Sequence, residues 1–129
     1  MKKTVIIILD DMAASLVATK TWFEKNYSVY TFASSKDMFE ALAKIPPPNL
    51  FILDYFMTEK NGHVVARDIK ADKRYCDVPI VFLSVSYNEK GLLNIHDIDY
   101  AAYIIKPLDS YKVEIIKKII EERENGGMT

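Results

Sequence analysis

This 129-residue chain reads as an α/β protein: a doubly wound (βα)5 three-layer sandwich around a parallel sheet in the flavodoxin-like order 2-1-3-4-5. Three observations carry that reading. Short, continuous apolar runs rich in β-branched residues recur along the chain, as strands covered on both faces require. Amphipathic stretches separate them, and the runs repeat at roughly 20–25 residues, the length of a strand-helix unit. Right-handed crossovers then place helices on both sides of the sheet.

The first strand is Val5 to Leu9. Met12 to Asn26 follows as a helix whose inner stripe is Met12, Leu16 and Phe23, with Thr19 its only polar member. A weaker strand runs from Val29 to Phe32. Ser34 through Asp37 form a capping box ahead of a second helix carrying Phe39, Leu42 and Ile45. Pro46-Pro47-Pro48 make a stiff turn into the third strand, Leu50 to Leu53. A third helix begins near Gly62 with Val65 and Ile69 inward. The fourth strand is Val78 to Leu83, a fourth helix is expected between Asn88 and His96, and the fifth strand is Ala101 to Ile105. Asp109 or Ser110 caps the last helix, which buries Val113, Ile116 and Ile120 and stops at Asn125-Gly126-Gly127. Residues 1–124 are expected to form the domain, and 125–129 a flexible tail or the start of a linker.

Composition narrows the function. Half the residues are hydrophobic and 27% are charged, as in a soluble globular domain with a true core. Seventeen Lys and Arg against eighteen Asp and Glu give a net charge of −1, which supplies no field for nucleic acid or anionic lipid. Cys76 is the single cysteine, as expected of a reducing, cytoplasmic location. The apolar run after Lys2-Lys3 is too short for a signal peptide and meets Asp10-Asp11 at once. No membrane association is expected.

Four apolar runs end in polar residues suited to phosphate or metal chemistry: Asp10-Asp11, Asp54, Ser84 and Lys106. In an open α/β sheet these strand ends share one rim, where ligands bind. An Asp after a strand is more often a turn former, so each residue alone says little. Together they describe a pocket. At about 4 Å and an effective dielectric near 20, each pair of like charges costs about 4 kcal/mol, so a cation belongs among the carboxylates. An oxygen-only donor set favours Mg²⁺, with Mn²⁺ as an alternative, over zinc. A carboxylate beside a divalent cation, a lysine and a hydroxyl is equipped to attack phosphorus and to hold an acyl phosphate.

As a set, Leu9-Asp10-Asp11, Ile52-Leu53-Asp54, Ser84 and Lys106-Pro107 resemble the receiver domain of two-component response regulators, with single-domain chemotaxis regulators nearest in shape. The resemblance covers the whole chain. It implies that Asp54 accepts the phosphoryl group, and that Asp11 and Asp54 bind Mg²⁺ directly with Asp10 directly or through water. The backbone carbonyl of Phe56 completes the protein ligands, while Ser84 and Lys106 grip the phosphoryl oxygens. It further implies a cis Lys106-Pro107 bond and an aromatic switch at Tyr103, with Ala101 and Ala102 leaving room for its ring. The implied partners are a histidine kinase or phosphotransfer protein upstream, and downstream a protein target or an output domain. The domain would be a switch and not an enzyme in the usual sense. The face that responds comprises the helix between Asn88 and His96, the fifth strand and the last helix.

Several positions depart from the family's pattern. Thr58 stands where proline is usual, which predicts a looser loop after Asp54. Asp99-Tyr100 replace a small pair before the fifth strand. Val85 and Phe56 are expected to crowd the phosphoryl site and to keep attacking water out. These departures also suit a second reading, a degenerate receiver that binds partners without phosphorylation. A flavodoxin is disfavoured because Asp10-Asp11 would repel the FMN phosphate, and a haloacid-type phosphatase because Phe56 occupies the place of its second Asp. Ser84 lacks the neighbours of a serine hydrolase. His63 and His96 are read as surface helix residues, Trp22 as a partly exposed packing group, and Lys70 to Arg74 as a solvated helix end.

Overall fold

The structure is a computed structural model that describes residues 4–86 and 98–125. Five strands form one sheet: β1 (Val5–Leu9), β2 (Ser28–Phe32), β3 (Leu50–Asp54), β4 (Ile80–Ser84) and β5 (Ala102–Ile105). Their order is β2-β1-β3-β4-β5, and every neighbouring pair is parallel. Four helices lie among the described residues: α1 (Ala13–Phe23), α2 (Ser35–Leu42), α3 (Gly62–Lys70) and α4 (Ser110–Asn125). The helix expected between Asn88 and His96 falls outside them, as does His96.

The period of two along each strand divides the core into two halves. Ile7, Leu9, Phe51, Leu53, Ile80 and Phe82 face one side, where Met38 and Leu42 of α2 and Val65, Ala66 and Ile69 of α3 cover them. Ile6, Ile8, Leu50, Ile52, Val81 and Leu83 face the other, against Phe23 of α1 and Val113, Ile116 and Ile120 of α4. Both faces of β1, β3 and β4 are therefore dry. That is why their sequences run apolar without alternation.

Local chemistry explains most of the boundaries. Ser34 caps α2 through its side chain, which accepts from the Asp37 N–H at 3.2 Å. Asp109 rather than Ser110 precedes α4, its carboxylate accepting from the Lys112 N–H at 2.8 Å. Where Val78 was expected to open β4, the strand starts at Ile80. Val78 is held in the preceding turn by a bond from its N–H to the Tyr75 carbonyl, and Pro79 has no N–H for the ladder.

Three side chains behave differently from expectation. Met12 is 60% exposed instead of lining the inner stripe of α1, because it precedes the helix in extended backbone and so falls out of the helical phase. Thr19 and Phe23 are the buried members. Lys70 is not simply solvated: its ammonium donates to the carbonyls of Cys76 (2.9 Å) and Val78 (3.1 Å), tying the end of α3 to the turn before β4. His63 is half-buried rather than on the surface, its ring stacked on Tyr55 at 5.6 Å.

Candidate functional site

The parallel order brings the carboxyl ends of the strands to one rim, and the 2-1-3 arrangement makes β1 and β3 neighbours. Leu9 pairs with Leu53, so Asp10 and Asp54 emerge side by side at the same level. Asp54 in turn pairs with Leu83, and Ser84 with Ile105, which sets Ser84 and Lys106 one step beyond along the rim. Residues separated by almost a hundred positions in the chain thus line a single pocket.

Asp10, Asp11 and Asp54 each present an oxygen within 4.8 Å of the others. Asp10 and Asp54 are buried, whereas Asp11 stands at the mouth. The Lys106 ammonium lies 3.0 Å from Asp10 Oδ2 and 3.4 Å from Asp54 Oδ1, and donates to Ser15 Oγ at 2.8 Å. The other Asp10 oxygen accepts from the Met12 N–H at 2.9 Å. Asp11 Oδ2 accepts twice from Thr58, from its N–H at 2.7 Å and its hydroxyl at 2.9 Å. The Lys106-Pro107 peptide is cis.

One lysine does not neutralise three carboxylates. Burial, and next the charge of Asp10, push the Asp54 carboxyl up to about 6; Lys106 offsets part of this and Asp11 adds to it. The pocket holds surplus negative charge in a partly desolvated place, and its three acidic side chains offer only hard oxygen donors. These features fit a small divalent cation such as Mg²⁺ or Mn²⁺. Asp10, Asp11 and Asp54 are the side chains that could hold it.

Gly62 brings the backbone close to this site. A Cβ there would lie 2.7 Å from the carbonyl oxygen of Asp54 and 3.0 Å from Tyr55 Cα. The Gly62 N–H instead donates to the Tyr55 carbonyl at 2.7 Å, and Asn61 Oδ1 accepts from the Met57 N–H at 3.3 Å, so the β3–α3 loop folds back on itself. Phe56 sits in that loop with its ring edge-on to Tyr55 at 4.8 Å. It lines a cleft of ≈ 430 Å³ with Asp11, Met12, Met57, Thr58 and Asn61.

Ser84 is fully buried, and its hydroxyl donates to the Ser86 carbonyl at 2.8 Å. Tyr103, half-buried against Tyr55 and Phe82, donates to the same carbonyl at 3.2 Å. Val85, directly after Ser84, is 68% exposed where the chain bends out of the sheet. Thr58 does not leave its loop loose, since it fastens that loop to Asp11. No sequence signal points to Ser15 or to the Thr58–Asp11 contact: Ser15 is an ordinary first-turn helix residue, and no spacing rule links positions 11 and 58.

A parallel sheet of order 2-1-3-4-5 whose strand ends gather three carboxylates, an alcohol and an ammonium at one rim defines a class of doubly wound domains with an acidic pocket beyond the carboxyl ends of the strands. The family model for the response regulator receiver domain matches residues 6–120, and the chain belongs to that family. Among curated proteins it is 28% identical to the probable transcriptional regulator ycf27 of Porphyridium aerugineum over 118 residues, covering 88% of this chain and 46% of that protein. It is 31% identical to the probable methanogenesis regulatory protein FilR2 of Methanothrix harundinacea over 75 residues, 58% of this chain and 46% of that protein. The chain thus spans about half the length of the curated relatives it matches. Among solved structures, a CheY-like response regulator receiver domain protein from Methanospirillum hungatei superposes with a TM-score of 0.82 at 25% identity, covering 98% of this chain and all of that one.

Proposed function

We propose that this receiver domain is a phosphorylation-operated switch in which Asp54 takes a phosphoryl group from a histidine kinase or phosphotransfer protein. The observation that supports this most is the convergence of Lys106 on Asp10 and Asp54 beside an all-oxygen acidic cluster. In the transfer, an Asp54 carboxylate oxygen bonds to phosphorus as the P–N bond of the phosphohistidine breaks. The electron pair of that bond stays on the imidazole nitrogen, and an acyl phosphate forms on Asp54. Asp10, Asp11, Asp54 and the Phe56 carbonyl would hold Mg²⁺ or Mn²⁺, whose charge would offset the charge developing on the phosphoryl oxygens. Lys106 and Ser84 would supply a cation and a hydroxyl to the same oxygens.

The switch is read through Ser84 and Tyr103. Moving a two-state population from nearly all inactive to nearly all active takes about 5.5 kcal/mol of differential stabilisation, part of which charge-assisted bonds from Ser84 and Lys106 to a phosphoryl group would provide. Residues 1–124 are the proposed unit, and α4 runs one residue further, to Asn125. A cytoplasmic setting fits a kinase partner, and no helix among the described residues is long and apolar enough to cross a membrane. The downstream partner is a protein target or an output domain.

Incubation with acetyl phosphate and Mg²⁺ tests the reading. A mass gain of one phosphoryl group that is lost in Asp54→Asn supports it, and an unmodified wild-type chain points to the phosphorylation-independent interaction module. Phe56 packs on Tyr55 at the edge of the cleft, where it would exclude water from the acyl phosphate. Phe56→Asn should therefore shorten the phosphoryl lifetime, measured by loss of the added mass with time.

A further inference from the structure

We propose that Thr58 is a positioning residue for cation binding: its hydroxyl and N–H together orient the Asp11 carboxylate so that one oxygen is spent on the loop and the other is left for the metal. This rests on the reading of the acidic cluster as a divalent-cation site. The two donors converge on a single atom, Asp11 Oδ2, at 2.7 and 2.9 Å. A carboxylate oxygen has two lone pairs, so both on Oδ2 are engaged while Oδ1 keeps its own. Asp11 is the only acid of the cluster that Lys106 does not reach within ion-pair distance among the described residues. It is also the least buried of the three, so without Thr58 its side chain would sample several rotamers at the mouth of the pocket.

The contact also bridges two loops. Asp11 follows β1, whereas Thr58 lies in the β3–α3 loop two residues after Phe56, whose carbonyl is a candidate ligand. Fastening residue 58 to residue 11 therefore sets the spacing between donors from different strands. A proline at position 58 would offer neither donor, so the device belongs to this chain's own sequence. Hydrogen-bonding partners of metal ligands generally orient the ligand in this way, and their loss lowers metal affinity by about 10–100-fold.

The test is Mg²⁺ binding by titration calorimetry on the full chain without any phosphodonor, with thermal melting in EDTA as a check on folding. Thr58→Val, which keeps the N–H and the shape but loses the hydroxyl, should bind Mg²⁺ about tenfold more weakly than wild type. Thr58→Ala should weaken it likewise, and Thr58→Ser should restore wild-type affinity. In EDTA all three should melt close to wild type. Equal or tighter Mg²⁺ binding by Thr58→Val and Thr58→Ala overturns the inference while leaving the cation site standing. If wild type binds no Mg²⁺, or Asp11→Asn binds it as well as wild type, the cation reading itself fails and this inference with it.

Discussion

The hydroxyls of Ser84 and Tyr103 end on one acceptor, the carbonyl oxygen of Ser86, at 2.8 and 3.2 Å. Ser84 closes β4 at the rim of the acidic pocket, and Tyr103 lies on the neighbouring strand, paired with Phe82. A residue at the proposed phosphoryl site and the proposed switch tyrosine are thereby linked through a single backbone group. If Ser84 turns its hydroxyl to a phosphoryl oxygen, that carbonyl loses one donor, and Tyr103 is the group able to take its place more fully.

This link predicts separable effects. Ser84→Ala should abolish the change in the Tyr103 ring resonances that a phosphoryl analogue at Asp54 produces, as read by NMR. Tyr103→Phe should leave phosphorylation by acetyl phosphate intact and cost about 0.5–1.5 kcal/mol of stability, the usual worth of one hydrogen bond. Tyr103 resonances that still shift in Ser84→Ala would show that the two residues respond independently.

The Asp54 carboxyl, raised to about 6 by burial and by Asp10, makes stability depend on pH in a defined direction. Its folded value exceeds its unfolded one, so between about pH 4 and pH 6 the native state binds more protons and stability falls as pH rises. Above that window the charged carboxylate is a standing cost. Asp54→Asn should therefore be more stable than wild type at pH 7.5 in EDTA, by roughly 1–2 kcal/mol, with the gain gone by pH 4. Urea unfolding at both pH values measures it, and a gain that does not depend on pH would contradict the assignment.

Lys106 is the counter-charge for two buried acids. Removing one partner of a buried ion pair leaves uncompensated charge and costs about 3–5 kcal/mol. Lys106→Met should approach the lower end of that range at pH 7.5, since its side chain retains 17% exposure. The loss should shrink on acidification, as Asp54 takes up a proton. Denaturant midpoints at pH 7.5 and pH 5 are the check.

Gly62 tolerates no side chain at its present position, because the nearest obstacle is backbone, the Asp54 carbonyl oxygen at 2.7 Å. Gly62→Ala should cost about 1–3 kcal/mol, the range for overpacking a filled site, and should slow phosphorylation by displacing the end of β3. Equilibrium unfolding and the rate of mass gain with acetyl phosphate report the two effects. An unaltered phosphorylation rate would mean that the strain is absorbed on the α3 side.

How far residues alone reach is clearest at the pocket. Asp10, Asp11, Asp54, Ser84 and Lys106 were legible because strand ends in a parallel sheet share a rim, and the apolar runs place those ends without coordinates. The same five positions carry the resemblance, and the match over residues 6–120 establishes the family membership. Ser15 and Thr58 were not legible in that way. Each acts through a side chain that crosses between loops, to Lys106 and to Asp11, and no period or spacing encodes such contacts. Met12 escapes the sequence pattern for a related reason: one residue beyond a regular element, periodicity no longer says which way a side chain faces.

Elements, strand order and the identity of the acidic cluster thus follow from apolar periodicity and chain connectivity, which are properties of the covalent chain. Which donor meets which carboxylate oxygen, and how far burial raises Asp54, emerged only once the chain was folded. Those quantities depend on distances between groups brought together by packing and on the water that packing removes.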